Sequence, residues 1–474
     1  MVKHKNKESC IGRFLKVNFQ FLKDLTLLCA YKEKGFIVKR IGYLYEQVCS
    51  MDNLKLAHKN ARKNKTWYKE VKMVDSNPDY YLKILQNSLI NHTYKTSKYE
   101  TFIKKENGKE RIIYKLPYFP DRVCQWAILQ VIEPMLIKYF TDNTYSAIPK
   151  RGTHKCLYKV INAIQHDVPN CQYCLKIDAK KYYPSINHDI LKKLYARLFK
   201  DKELLDLIYE IIDSTDGDTG IPIGNYLSQY SGNLYLTPLD YWLKEEKHVK
   251  YAFRYMDDIV IFGRTKEELH KLRIEMKNFM QSNLKLKMKD NWQVFPTYLR
   301  GVDFVGYRIF LDYVLLRKST CINFKRKMNS INRKRLKGET LSYSDYCSFN
   351  SYKGILKHCN SYKLTQKYIK PLERYVNSYY KFYIKKGGKN MVNHGKVKST
   401  VKPESIEIDE NNVWVNSNIK SIKETNDEHE FIGYEYDMVQ YEKDEYIKYI
   451  TQNQNQQITD VQLALVEIYE SMGV

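Results

Sequence analysis

The ten residues Phe253-Arg-Tyr-Met-Asp-Asp-Ile-Val-Ile-Phe262 constrain this chain more tightly than any other stretch in it. Two arms of β-branched and aromatic residues flank a tip of two adjacent carboxylates, which is the pattern of a β-hairpin. Ionised Asp side chains sit badly against such arms, because desolvating a carboxylate is costly unless a cation or a donor compensates it. At a hairpin tip they can instead offer oxygen ligands to a divalent metal at the mouth of a sheet. A third carboxylate at the end of a neighbouring strand would complete a two-metal site for in-line phosphoryl transfer. Cys174-Leu-Lys-Ile-Asp178 is a short apolar strand pattern that ends on one, 79 residues before Asp257. Asp-Asp standing alone is ordinarily a solvated turn; its pairing with Asp178 is what argues for chemistry.

Charge placement points to a polyanionic partner. The 474 residues hold 79 Lys and Arg against 54 Asp and Glu, a net +25, and a surface that basic attracts phosphate at long range. Coding bias in an AT-rich genome enriches Lys, Asn, Ile and Tyr, so the total alone is ambiguous. Its distribution is informative: from residue 401 onwards five Lys face 16 Asp and Glu, a net −11, which leaves +36 on the first 400 residues. With 43% apolar and 14% aromatic residues the chain can bury more than one core, and its length suggests two to four domains. Residues 19–30 are the most apolar early stretch, but they contain Lys23 and Asp24 and fall short of the roughly 20 apolar residues of a membrane span. No signal-peptide pattern follows the basic start, so a cytoplasmic protein away from the membrane is the expectation. Ten Cys are scattered along the chain, and the lone Cys171/Cys174 pair lacks a second pair to close a zinc site, which reads as structural thiols.

Hydrophobic periodicity organises the rest. Residues 40–92 read as helical, with Ile41, Leu44, Tyr45 and Val48 on one face and a basic run over 58–65. Alternating segments around Asn107-Gly108 predict a hairpin over 99–118. Helices follow over 121–140, 188–198 and 227–247, with a basic helix over 315–337 and an aromatic-rich helical pattern over 341–383. Residues 385–402 read as a flexible Lys/Gly linker, and the acidic tail contains a Gln/Asn tract and an amphipathic helix pattern over 459–471.

Phe253-Arg-Tyr-Met-Asp-Asp-Ile-Val-Ile-Phe262 resembles the palm hairpin of reverse transcriptases, and Leu175-Lys-Ile-Asp-Ala-Lys-Lys-Tyr-Tyr-Pro-Ser-Ile186 resembles their first catalytic strand. Pro117-Tyr-Phe-Pro-Asp-Arg-Val-Cys-Gln-Trp-Ala127, Ile132-Glu-Pro134 and Ser146-Ala-Ile-Pro-Lys-Arg-Gly-Thr-His154 look like finger elements of bacterial group II intron-like enzymes, and Phe304-Val-Gly-Tyr307 resembles the primer-grip turn. The resemblance spans residues 95–380. It implies an α+β right-hand polymerase fold: a helical N-terminal extension over 1–94, fingers over 95–174, palm over 175–310, helical thumb over 311–384, a linker over 385–402 and an acidic extension over 403–474.

Carried over to this chain, the resemblance makes Asp178 and Asp257 the principal metal ligands, with Asp258 supporting and the Ala179 carbonyl adding an oxygen, for two Mg²⁺ ions that Mn²⁺ can replace. Tyr183 matches the steric gate under the incoming sugar. Arg111 and Lys115 fall where finger cations clamp the triphosphate. Arg151 and the run Arg317, Lys318, Lys325, Arg326, Lys327, Arg333, Lys334 and Arg335 would grip nucleic acid. Two departures stand out. Ile223-Gly224, followed by Ser228-Gln229, replaces the common Gln-Gly and Ser-Pro, a pattern similar to diversity-generating and defence-associated enzymes, and it predicts relaxed base discrimination. The usual general-acid lysine falls at Trp292, leaving Lys287 and Lys289 as substitutes. The implied partners are an RNA template, expected to be a dedicated noncoding RNA, with a cDNA product, dNTPs, and a protein or second copy against the acidic tail. An RNA-binding protein on a decayed polymerase fold is the competing class, disfavoured by three intact carboxylates.

Overall fold

The computed structural model describes residues 40–66, 68–106, 109–379, 391–408, 412–426, 429–443 and 446. The chain divides into two units, Met1–Val305 and Gly306–Val474. In the first, Ser and Asn caps cut the helical stretch after residue 40 into four pieces: α1 Tyr45–Cys49, α2 Met51–Ala61, α3 Lys69–Ser76 and α4 Pro78–Ile90. Ser50 Oγ accepts from the Asn53 amide at the start of α2. Asn77 does the same for Tyr80, with Pro78 at the first helical position where its missing N–H is not needed. Leu54, Ala57 and Ala61 of α2 and Leu82, Leu85 and Leu89 of α4 point inward at helical spacing and enter the main core.

β1 Glu100–Glu106 and β2 Lys109–Lys115 form an antiparallel hairpin, with Glu106 paired to Lys109. The Asn107-Gly108 turn itself lies outside the described residues. After helices α5 Val123–Tyr139 and α6 Thr153–His166 comes β3 Tyr173–Ile177, then α7 His188–Leu198, α8 Lys202–Ile212 and α9 Tyr226–Tyr241. The hairpin β4 Tyr251–Tyr255 and β5 Asp258–Gly263 follows, then α10 Lys266–Leu284, β6 Gln293–Pro296 and β7 Val302–Phe304. Four of these strands form one antiparallel sheet in the order β4-β5-β3-β6. β3 is therefore central, and its Cys174, Leu175 and Ile177 are buried, as expected for a strand covered on both faces. Helices α7, α9 and α10 contribute Leu191, Leu234, Leu236, Met276 and Met280 to the core that backs this sheet.

In the second unit, β8 Tyr307–Ile309 and β9 Val314–Leu316 pair as a hairpin, so the expected helix over 315–337 begins only at Lys318. Helix α11 Lys318–Leu336 buries Phe324, Met328 and Ile331, packing Phe324 against Tyr352 of α12 Tyr343–Leu356 and against Tyr368. α13 Lys370–Tyr379 completes this helical part. Beyond it the expected linker and charged tail differ from the structure. Met391–Ser399, inside the segment read as a Lys/Gly linker, is strand β10 and pairs antiparallel with β13 His429–Glu442. With β11 Ile406–Ile408 and β12 Asn412–Asn426 the sheet order is β10-β13-β12-β11. Its buried Val413, Trp414 and Tyr441 supply the apolar side that charge counting overlooks. The 459–471 helix lies outside the described residues. Among the described residues every Cys is a free thiol, Cys171 and Cys174 included, and no helix is long and apolar enough to cross a membrane.

One buried carboxylate organises the helical part of the second unit. Asp345 receives Lys327 at 2.8 Å, Lys334 at 2.7 Å and the Ser342 hydroxyl at 2.8 Å. Burial raises its pKa, but these three donors outweigh burial and hold it down at about 2. A depressed carboxylate stabilises the fold above its unfolded pKa of 3.8 and loses that contribution as pH falls through about 2. Asp345→Asn is therefore expected to cost about 2 kcal/mol at neutral pH, with the deficit against wild type closing between pH 4 and 2, as read by denaturant melts across that range.

Candidate active site

The antiparallel register brings the carboxylates together. Ile177 pairs with Ile259, so the chain leaving β3 emerges with Asp178 beside the β4–β5 turn that carries Asp257 and Asp258. That turn is closed by the pair Tyr255 and Asp258, and Met256 takes φ +56°, the left-handed conformation a two-residue hairpin turn requires. Asp257 is largely desolvated, and its pKa is raised to about 7, first by burial and then by sharing a site with Asp178, through both hydrogen bonding and charge. Asp178 Oδ1 is buried with no hydrogen-bond partner. Two oxygen-rich groups that repel each other in a partly desolvated site fit a divalent cation, since hard oxygen donors and excess negative charge are what Mg²⁺ or Mn²⁺ takes. Asp258 lies to one side, 3.5 Å from Lys176 Nζ. Among the described residues no three Asp, Glu, His or Cys side chains converge as a ligand cluster.

A short segment after α10 lines the other side. Lys180 N–H donates to Lys287 O at 2.8 Å and Lys289 N–H donates to Asp178 O at 2.9 Å, bridging Ala179 to Met288. Ala179 occupies the position in this bridge whose own N–H and C=O point away from residues 287–289. Lys289 is half-buried and its ammonium bonds Asp178 Oδ2, whereas Lys287, two residues earlier, is exposed. Trp292 packs under Arg273 of α10, with 4.1 Å from the guanidinium carbon to the ring centroid, so this position does packing.

Tyr183 follows in a turn where Lys181 has φ +47°. Its hydroxyl donates to Met256 Sδ at 3.5 Å, linking the aromatic ring to the Asp257 turn. Gly232 of α9 leaves room beneath it, since a Cβ there would stand 3.4 Å from Tyr183 Oη and 3.5 Å from Tyr182 Cε1. Ile223 and Gly224 meet the β2 strand. Tyr114 N–H donates to Ile223 O at 2.8 Å, and a Cβ on Gly224 would lie 2.0 Å from Tyr114 O, at φ +137°. Gln229 is exposed on the first turn of α9, whose start is capped by Gln125 Oε1 accepting from the Tyr226 and Leu227 amides.

Arg111 lies on β2 opposite Lys104, and Lys115 is exposed and pairs with Glu100 at 2.9 Å across the hairpin. Arg151 departs from the expectation of a nucleic-acid contact. Its guanidinium is turned inward, 15% exposed, donating to Thr141 O at 2.7 Å and Thr144 O at 3.3 Å, so it braces a loop. In the second unit, Lys318, Arg326, Arg333 and Arg335 are exposed along α11, and Lys325 is half-buried; Arg317 caps the helix start. Lys327 and Lys334 are occupied by Asp345.

Sequence reasoning missed the residue beneath the turn. Arg254, 2% exposed, forms an ion pair with Asp240, 9% exposed, at 2.5 Å. Alternation along β4 gave Arg254 no role, although a charged residue in an apolar arm three positions before Asp257 was a visible anomaly.

Comparison with known proteins finds similarity to one family. Residues 103–309 match the model of the reverse transcriptase (RNA-dependent DNA polymerase) family. Protein YkfC of Escherichia coli (strain K12) is 23% identical over 275 residues, covering 48% of this chain and 71% of that protein. The group II intron-encoded protein LtrA of Lactococcus lactis subsp. cremoris is 25% identical over 154 residues, covering 31% of this chain and 25% of its own length. Among solved structures, apo telomerase from Candida tropicalis aligns with a TM-score of 0.39 and 14% identity over 53% of this chain and 52% of that one.

The contact between Gly224 and β2 has a direct consequence. Gly224→Ala is expected to push β2 off the Ile223 loop and lower the melting temperature by several degrees, because its Cβ meets a backbone carbonyl that cannot rotate away. Hydrogen exchange at the Tyr114 amide checks this; unchanged protection would rule it out.

Proposed function

This chain belongs to the group II intron-like reverse transcriptases, and on that premise we propose that it copies an RNA template into DNA by nucleotidyl transfer at the Asp178 and Asp257 pair. The desolvated, mutually repelling pair at the end of the central sheet carries the reading. Asp178 and Asp257, with Asp258 and the Ala179 carbonyl as further oxygens, would hold a divalent cation, which when bound would supply activation of the primer 3′-hydroxyl and neutralisation of phosphate charge. The attacking oxygen displaces pyrophosphate from the α-phosphorus of the incoming nucleotide.

The remaining residues bind, orient and move protons. Tyr183, with its hydroxyl fixed on Met256, presents its ring as a floor for the sugar, and a 2′-hydroxyl meets that ring; dNTPs are thereby favoured over rNTPs. Arg111 and Lys115 on the β2 strand clamp the triphosphate. The Lys115 pair with Glu100 is exposed on both sides and exchanges cheaply for phosphate. Lys289, on Asp178, is the better placed of the two general-acid candidates, offering an N–H to the departing pyrophosphate, while Lys287 is exposed. The exposed basic face of α11 takes duplex phosphates. Ile223 puts an apolar side chain where relatives carry Gln, and with Gln229 it favours a low-fidelity enzyme of a defence or diversification system acting on a dedicated RNA. The acidic C-terminal extension serves a protein partner or a second copy.

Mg²⁺-dependent dNTP incorporation on a primed RNA template is expected from the full chain, and it should fall to background in the Asp257→Ala, Asp258→Ala double variant; a wild type that binds RNA but incorporates nothing on any primed template would overturn the reading. Ile223→Gln is expected to lower misincorporation by roughly fivefold, the worth of one added hydrogen bond. Equal error rates in a fidelity assay would show that Ile223 does not set base discrimination.

A further inference from the structure

Arg254 makes more contacts than an ion pair needs. Its Nε donates to Asp240 Oδ1 at 2.8 Å and Oδ2 at 2.9 Å, and Nη2 donates to Asp240 Oδ2 at 2.5 Å, to Asn233 O at 3.2 Å and to Thr144 Oγ1 at 3.2 Å. Nη1 donates to Asn233 Oδ1 at 3.3 Å and to the Met256 carbonyl at 3.1 Å. The first group anchors the guanidinium to α9 and to the loop before α6, where Tyr145 N–H donates to Arg254 O and Arg254 N–H donates to Asn143 O. The Met256 contact is different in kind. The Met256 carbonyl belongs to the peptide plane that leads into Asp257, so its direction sets where the Asp257 Cα and carboxylate stand.

That peptide has a reason to move. Met256 sits at φ +56°, a conformation disfavoured for a residue with a Cβ, and the carboxylate it carries forward is repelled by Asp178. Rotation of the Met256 to Asp257 peptide would carry the Asp257 carboxylate away from Asp178. A planar guanidinium presents donors in a fixed fork, and this one is braced from the far side by Asn233, which is buried, and by Asp240, whose side chain is 9% exposed. Asn233 is in turn fixed by Nδ2 donating to Ser146 O at 2.7 Å.

We propose that Arg254 is a positioning residue of the nucleotidyl-transfer site: through Nη1 on the Met256 carbonyl it holds the Asp257 turn in its metal-binding conformation, with Asp240 and Asn233 as its buried brace. The inference rests on the proposed polymerase reading for its kinetic consequence and on geometry alone for its effect on cation binding. An Arg that merely glued α9 to the sheet would be replaceable by any pair of matching shape; an Arg that aims Asp257 would not. An apolar pair of similar volume can fill a buried ion-pair site without loss of stability.

The test is the Arg254→Met, Asp240→Leu double variant of the full chain, compared with wild type in three readouts. Thermal melts should show a cooperative fold. Mn²⁺ affinity, measured by electron paramagnetic resonance in the absence of substrate, should fall by about threefold or more, and kcat on primed RNA should fall by at least about tenfold with nucleotide KM changed less than about twofold. A folded double variant with wild-type Mn²⁺ affinity overturns the proposal, whatever its rate. Arg254→Lys carries the test if the double variant does not fold: it keeps a cation for Asp240 but lacks the second arm that reaches Met256, and it is expected to show the same loss of Mn²⁺ affinity, while wild-type affinity in it again overturns the proposal. Wild type that binds Mn²⁺ but extends no primer defeats the polymerase reading and leaves the Mn²⁺ comparison to decide this one.

Discussion

Two carboxylates that repel one another are held side by side in a partly desolvated site, and the first unit is organised around that arrangement. Asp178 and Asp257 arrive from different strands of one antiparallel sheet, and it is the ladder between β3 and β5, closed at Ile177 and Ile259, that makes them neighbours. A shift of one residue in that ladder would turn Asp178 to the opposite face. Burial of the sheet by α7, α9 and α10 prevents such a slip, because every apolar side chain of β3 would slip with it. The repulsion between the carboxylates is thus opposed by hydrophobic packing spread over dozens of side chains. The raised pKa of Asp257 is the residue of that contest, and a divalent cation would remove it.

Positive charge is placed around the pair in graded fashion. Lys289 reaches Asp178 directly, Lys176 stands 3.5 Å from Asp258, and Arg254 lies behind the turn with its charge already met by Asp240. Those nearest the carboxylates are half-exposed lysines, which can release their partner, while the fully buried cation is an arginine, whose charge cannot be titrated away. The floor of the site is set by contacts of the opposite kind. Gly224 matters for what it lacks, since a side chain there would strike the Tyr114 carbonyl.

Much of this was legible in residue patterns. Apolar arms around Asp257-Asp258 predicted a hairpin and a hairpin is present; the short strand ending on Asp178 lies beside it. What pattern reading missed has a common cause. Arg151 read as a nucleic-acid contact, Lys327 and Lys334 as a phosphate grip, and Arg254 had no role, yet all four have buried or half-buried acceptors that the fold brings to them: Thr141 and Thr144, Asp240, and Asp345. A cation's partner is chosen by packing, which periodicity does not encode. The strand β10 within the Lys- and Gly-rich segment failed for the complementary reason. Its partner β13 begins some thirty residues later, and exposed edge positions tolerate charge, so composition looked like a linker where pairing made a sheet.

By itself the sequence determined the chemical class of the site: carboxylates at strand ends, an aromatic five residues beyond the first, and a basic body that attracts phosphate. These are local facts, set by residue type and by spacing along the strands. Only the tertiary structure decided which carboxylates share a site, which lysine touches them, and that an arginine of the apolar arm holds the turn from behind. The reason is physical: the strength of a charge–charge or hydrogen-bond contact depends on distance and burial, and both are properties of segments that the fold, not the chain order, brings together.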